Sequence, residues 1–203
     1  MPPVRAIFWD VGGVLLTNAW DHTQRNTALE HFHLDEREFH DRHEMLVASF
    51  ECGKITLDEY LDRTIFYRDR PFSRNEFRDF MFSLSQPLAG SLEFAQSLAE
   101  SGKFFMGTIN NESLELNDYR LEKFGLRKIF QLFVSSCYVG LRKPEPEIYR
   151  LALELTQISA EQCCFIDDRA LNLESAAKLG MHTIEMKGIA SLKEGLAKNG
   201  VSL

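Results

Sequence analysis

Four groups of side chains, far apart in this 203-residue chain, have the residue types and local settings to do chemistry together. Asp10 closes the apolar run Ala6-Ile7-Phe8-Trp9 and is followed, after Val11, by Gly12 and Gly13. Thr108, with Asn110 and Asn111 just beyond, ends the second apolar run KFFMGT. Lys143 stands in GLRKPEPE, and Asp167 and Asp168 follow Cys163-Cys164-Phe165-Ile166. Each group alone says little, since a carboxylate before a glycine turn also serves simply to hydrogen-bond that turn. In a parallel sheet the carboxyl ends of all strands share one edge, so the four groups would converge there.

Three carboxylates in one crevice repel one another unless cations are present. Lys143 supplies one positive charge. Hard carboxylate oxygens, completed by water and a phosphate, are the ligand set magnesium prefers, so Mg2+ is the expected cofactor, with Asp10, Asp167 and Asp168 as ligands. A phosphate ester in such a site would meet Gly12, Gly13, Thr108, Asn110, Asn111 and Lys143. The glycines let backbone approach closely. Asp10 could attack phosphorus to form an aspartyl-phosphate that water then hydrolyses, with Lys143 and Thr108 as its catalytic partners.

The elements that must position these groups follow from periodicity. Residues 6–9 read as a strand buried on both faces. Residues 17–86 carry no strand signal. Phe39, His43, Leu46 and Phe50 recur at helical spacing, and Thr56 with Glu59, then Ser73 with Glu76, are capping-box signatures. From residue 87 onward helices and strands alternate, with strands expected at 103–108, 129–135, 163–166 and 182–186. The expected fold is therefore α/β, a Rossmann-like doubly wound parallel sheet formed by residues 1–16 and 87–203, with 17–86 an inserted all-helical domain. Five of the six histidines fall in that insert and read as solvated helix residues. Lys54 reads as solvated in a turn, and Trp20, His22, Phe50 and Glu51 are the insert's candidates for touching a substrate.

Composition narrows the classes. With 23 basic against 30 acidic residues, a net charge of −7 and no Lys/Arg run, nucleic-acid binding is not expected. The first ten residues hold no signal-peptide core, and no stretch reaches the roughly 18–20 apolar residues a membrane span needs. A cytoplasmic protein acting on a small molecule is expected. The four cysteines do not make a disulfide framework, and Cys163 and Cys164 read as buried thiols.

The order of these pieces resembles the haloacid-dehalogenase superfamily of hydrolases, in the branch with a helical C1 cap that includes the phosphatase domain of soluble epoxide hydrolase. FWDVGGVLL is similar to the first motif, with Asp10 in the nucleophile's place. FFMGTINNES is similar to the second, where strand length favours Thr108 and counting back from Phe124-Gly125-Leu126 favours Asn110. GLRKPEPEIYRLAL resembles the third motif and gives Lys143. FIDDRALNLESAAKLGM resembles the fourth, with Asp168 the better match to a metal ligand, and FECGKITLDEYL resembles the branch's cap. The resemblance implies a magnesium-dependent phosphatase of small phosphorylated metabolites, with the Gly12 carbonyl as a further metal ligand. Most phosphatases of the superfamily carry a second Asp, a general acid and base, where this chain has Gly12. That departure leaves two other expectations, a catalytically weak or silent binding protein and, more remotely, a haloacid dehalogenase.

Overall fold

The computed structural model describes residues 3–202. Strand β1 (Ala6–Trp9) is followed first by four helices: α1 (His22–His31), α2 (Glu36–Glu51), α3 (Leu57–Thr64) and α4 (Arg74–Ser83). The rest alternates, as α5 (Ser91–Glu100), β2 (Phe105–Asn110), α6 (Leu114–Lys123), β3 (Leu132–Ser135), α7 (Ser136–Val139), α8 (Pro146–Thr156), β4 (Cys163–Asp167), α9 (Ala170–Ala177), β5 (His182–Glu185) and α10 (Ile189–Lys198). The strands form one parallel sheet in the order β3-β2-β1-β4-β5.

Both faces of the sheet are covered, which is why its strands are apolar runs rather than alternations. On one face Ile7, Trp9 and Met106 meet Ala95 and Leu98 of α5, Leu121 of α6 and Leu192 and Leu196 of α10. On the other, Ala6, Phe8 and Phe165 meet Ile148, Tyr149 and Ala152 of α8 and Leu173 and Ala176 of α9. This is the doubly wound, Rossmann-like α/β fold expected from the sequence. The chain leaves β1 toward β2 and leaves β4 toward β5, in opposite directions from adjacent strands, so the sheet's switch point lies at their carboxyl ends. Among the described residues no helix is long and apolar enough to cross a membrane.

One strand end differs from expectation. β2 starts at Phe105 and runs through Asn110 instead of stopping at Thr108. Ile109 is fully buried and Asn110 pairs in register with Ser135, whose Oγ donates to Asn110 Oδ1 at 2.9 Å. The side-chain pairing lets a polar residue continue the strand. Thr108, opposite Trp9, is left wholly buried with no partner for its hydroxyl.

Helices α1–α4 share a core of their own, built on Trp20, Phe39, Phe50, Tyr60, Phe77 and Met81. Both capping boxes form, with Thr56 and Glu59 at the start of α3 and Ser73 and Glu76 at the start of α4. The segments entering and leaving this helical layer hydrogen-bond each other, Thr17 N to Gln86 O at 2.8 Å and Leu88 N to Leu15 O at 2.9 Å. A short paired hinge thus carries the helices over the sheet edge.

His43 is not a solvated helix residue. It is buried, with Nδ1 2.7 Å from the Tyr60 hydroxyl, which accepts a hydrogen bond from Trp20 Nε1 at 3.0 Å. Burial, reinforced by the charge of Arg25, lowers its pKa to about 3. As pH falls from 6.5 toward 3, the unfolded chain gains a proton at this imidazole that the folded chain refuses. Stability should drop in that window, with a slope from this one group approaching about 1.4 kcal/mol per pH unit. Urea unfolding of His43→Asn across the same range should show a correspondingly shallower pH dependence than the parent. An equal slope would show that the imidazole is not held neutral.

Candidate active site

The loops after β1 and β4 deliver the carboxylates to the switch point. Asp10 follows Trp9 directly and is held by backbone, its N–H donating to Ile166 O at 2.8 Å. Its Oδ1 accepts from Val11 N at 2.7 Å and from Lys143 Nζ at 2.9 Å. Oδ2 has no donor among the described residues. The glycine turn is needed here. Gly13 has φ +72°, and a Cβ on it would lie 2.2 Å from Asp168 Oδ2, so any side chain would collide with that carboxylate.

Lys143 bridges two carboxylates, lying also 2.7 Å from Asp167 Oδ2. Its backbone is fixed by Asn111, whose amide accepts from Lys143 N at 2.8 Å and donates to Lys143 O at 2.9 Å. Asp167 is fully buried and saturated: Oδ1 accepts from Arg169 N and Asn172 Nδ2, and Oδ2 from Lys143 and Asn172 Nδ2. Asp168 is not. Its Oδ2 accepts from Asn18 Nδ2 at 3.2 Å, while Oδ1 is buried with no partner. Burial raises the pKa of Asp10 to about 7. Lys143 opposes that shift, and the like charges of Asp167 and Asp168 add to it. Burial also opposes charge on Lys143, but Asp10 and Asp167 outweigh it and keep the ammonium charged.

Oxygens of Asp10, Asp167 and Asp168 lie within 4.8 Å of one another. Three carboxylates against one ammonium leave negative charge uncompensated, and an orphaned buried carboxylate oxygen faces it. Both observations fit a hard divalent cation such as magnesium. With Asp167 already saturated by four hydrogen bonds, the unspent oxygens are those of Asp10 and Asp168.

A cavity of about 500 Å³ opens above this cluster, walled on the other side by α1 and α2. Of the residues expected from sequence, Asp10, Gly12, Asn111 and Lys143 line it, as do all four insert candidates Trp20, His22, Phe50 and Glu51. Gly13, Thr108, Asn110, Asp167 and Asp168 do not. Thr108 sits two residues inside the strand, and the amide of Asn110 is spent on Ser135 and on Asn117 Oδ1 at 3.1 Å. The side chain of Asn111 is likewise spent on Lys143, so a phosphate contact from it would have to come from backbone.

Three wall residues, Arg120, Glu112 and Arg142, are not singled out by the sequence. Arg120 and Glu112 form a buried pair at 2.9 Å, and Arg142 pairs with Glu51 at 2.5 Å. Arg120 lies on the charged helix α6; its place on the inner face, beside Leu116, Asn117 and Leu121, buries it. Gly12 also acquires a neighbourhood. A Cβ there would lie 2.9 Å from Asn18 Oδ1 and 3.8 Å from Arg120 Nη1, so Asn18 and Arg120 occupy the space a larger side chain would need. His22, Glu36 and His40 cluster on the exterior through residues of two helices, a grouping that linear spacing does not reveal.

A doubly wound sheet with an acid–lysine cluster at its switch point defines a Rossmann-like class with a cation-ready site. Comparison with known proteins agrees. The model of the haloacid dehalogenase-like hydrolases matches residues 4–180, and the chain belongs to that family. It is 30% identical over 162 residues to flavin mononucleotide hydrolase 1 of Arabidopsis thaliana, covering 80% of this chain and 65% of that one. It is 27% identical to bifunctional epoxide hydrolase 2 of Sus scrofa, over 98% of this chain and 40% of that one. The chain thus spans less than two thirds of the length of these curated relatives. A family enzyme of Bacteroides thetaiotaomicron, solved with magnesium and inorganic phosphate, superposes with a TM-score of 0.73 at 22% identity, covering 91% of this chain and 95% of that one.

Proposed function

We propose that this hydrolase is a magnesium-dependent phosphatase of small phosphate monoesters and that Asp10 is its nucleophile. The observation that carries this reading is Lys143, held within 3 Å of both Asp10 and Asp167, beside an Asp168 oxygen without a partner. A flavin mononucleotide hydrolase among the relatives and magnesium with phosphate in a protein of the same fold support it.

Asp168 through its unpartnered Oδ1 and Asp10 through Oδ1 would hold the ion, with the Gly12 carbonyl as a third donor, which leaves Asp10 Oδ2 for the substrate, while Asp167 fixes Lys143 and through Asn172 the start of α9. Magnesium, when bound, supplies the positive charge that offsets the phosphoryl oxygens. Lys143 shares that task and presents Asp10 as a carboxylate. Asp10 Oδ2, free of donors, attacks phosphorus as the ester oxygen leaves, and water then cleaves the acyl phosphate. Helices α1–α4, over residues 17–86, act as a cap that excludes water and selects the substrate.

No carboxylate at position 12 protonates the leaving group. General acid assistance is worth about 10²–10⁴-fold, and that assistance is missing for poor leaving groups. Phosphate release should therefore be about 10²–10⁴-fold faster from an aryl phosphate than from an alkyl phosphate of similar size, and EDTA should abolish both. A panel of esters of graded leaving-group acidity, run with and without magnesium, tests this. Ester binding without any turnover would instead favour a silent binding protein, the reading that Gly12 motivates. Halide release from a 2-haloacid without metal would favour the dehalogenase.

A further inference from the structure

Matching the ion pairs around the cavity leaves two arginines over. Lys143 is matched by Asp10, Arg120 by Glu112 and Arg142 by Glu51. Asp21, the remaining wall carboxylate, caps α1 by accepting from the N–H groups of Thr23 and Gln24. Arg25, one turn into α1, and Arg169, just after β4, make no side-chain ion pair among the described residues, and both line the cavity that holds Asp10. Arg25 donates from Nη1 to Trp20 O at 2.5 Å, but its Nε is buried and finds no acceptor. Burial lowers the pKa of Arg25; Tyr60, Asp21 and Glu51 oppose that shift, and Arg169 adds to it least. The buried Arg25 Nε costs free energy until an acceptor reaches it, and the exposed Arg169 places a second guanidinium in the same cavity.

We propose that Arg25 and Arg169 form a second anion subsite, and that the substrate is a small phosphate monoester carrying another acidic group, a carboxylate or a second phosphate. The forked donors of arginine suit both anions. Arg25 belongs to the helical layer and Arg169 to the sheet edge, so an anion held by both also ties the cap to the core over Asp10. Trp20, Phe50 and the neutral His43 wall the same cavity and suit an uncharged linker between the two anionic ends. The inference names the substrate class of the site and rests on the phosphatase reading.

The test uses the whole protein with magnesium and three phosphonates that cannot be hydrolysed, titrated calorimetrically. These are 3-phosphonopropionate, propane-1,3-bisphosphonate and propylphosphonate, which lacks the second acid. At least one of the two diacidic ligands should bind about 10–100-fold tighter than propylphosphonate, the range expected of charge-assisted hydrogen bonds, and which one does identifies the second anion. That ratio should fall below about 3-fold in Arg25→Met and in Arg169→Met. Arg169 is exposed, so its variant reads out even if Arg25→Met folds poorly. Equal affinities for all three ligands, no binding of any, or a ratio that survives both substitutions would overturn the subsite. An aryl phosphate assay on the same preparation separates the two levels. Phosphate release with no diacid preference removes the subsite and keeps the phosphatase; a diacid preference without release does the reverse.

Discussion

Asp10→Asn is expected to lower phosphate release by about 10³-fold or more, on the scale of other nucleophile deletions, while leaving the fold intact. The carboxylate is buried, its pKa is raised by that burial, and it shares its crevice with Asp167 and Asp168. A neutral amide of the same shape removes like-charge repulsion and a desolvated charge, although it weakens one of the two contacts to Lys143. In EDTA the variant should therefore unfold at a temperature no lower than the parent. Stability held and activity lost is the signature of a group retained for chemistry. Thermal unfolding followed by circular dichroism, beside an aryl phosphate assay, measures both halves. Full activity in the variant would remove Asp10 from the reaction.

Lys143→Met should lose both activity and stability. Its ammonium is almost wholly buried between Asp10 and Asp167, and the Asp167 side chain has no exposure to solvent at all. Removing the cation leaves two desolvated carboxylates facing each other, and breaking a buried pair in this way costs about 3–5 kcal/mol. Urea unfolding in EDTA reads this directly. The cost should shrink in Asp10→Asn/Lys143→Met, because one of the stranded charges is then gone; additive losses would mean the two groups are not coupled. Magnesium should restore part of the stability of the single variant by replacing the missing positive charge. Activity should not return with it, since no ammonium then stands beside the transferring group.

Much of this site could be read from the chain because its parts are local. A short apolar run ending in Asp and glycine announces a buried strand and what stands at its end, and the same logic singles out Asp167, which closes β4, and Asp168 beyond it. Capping boxes are equally local, and both formed. Failures came where tertiary partners decide. Nothing in KFFMGTIN says that Asn110 will find Ser135 across the sheet, so the apolar run alone ends β2 at Thr108, which the structure instead buries inside the strand. Arg120 is a charged residue on a helix, which usually means solvent; its burial depends on what packs against the helix. His43 failed for the same reason. The role of Asn111 as a clamp on the Lys143 backbone, 32 positions away in sequence, is likewise visible only in three dimensions.

Gly12 is the residue whose meaning changed most. In the sequence it marks a missing acid. In the structure it is the floor of a space filled by Asn18, which holds Asp168, and approached by Arg120, which is tied to Glu112. A side chain at this position would have to shift the Asn18 amide, whose other end donates to Asp168.

The central claim is that a phosphoryl group passes through Asp10. The most direct measurement is rapid acid quench of the wild-type protein turning over an aryl phosphate with magnesium, followed by peptide mass mapping. A phosphoryl adduct on the peptide that carries Asp10, formed at the rate of the first turnover and absent from Asp10→Asn, is the predicted result. Steady phosphate release with no adduct at any quench time, or an adduct on another residue, would contradict it.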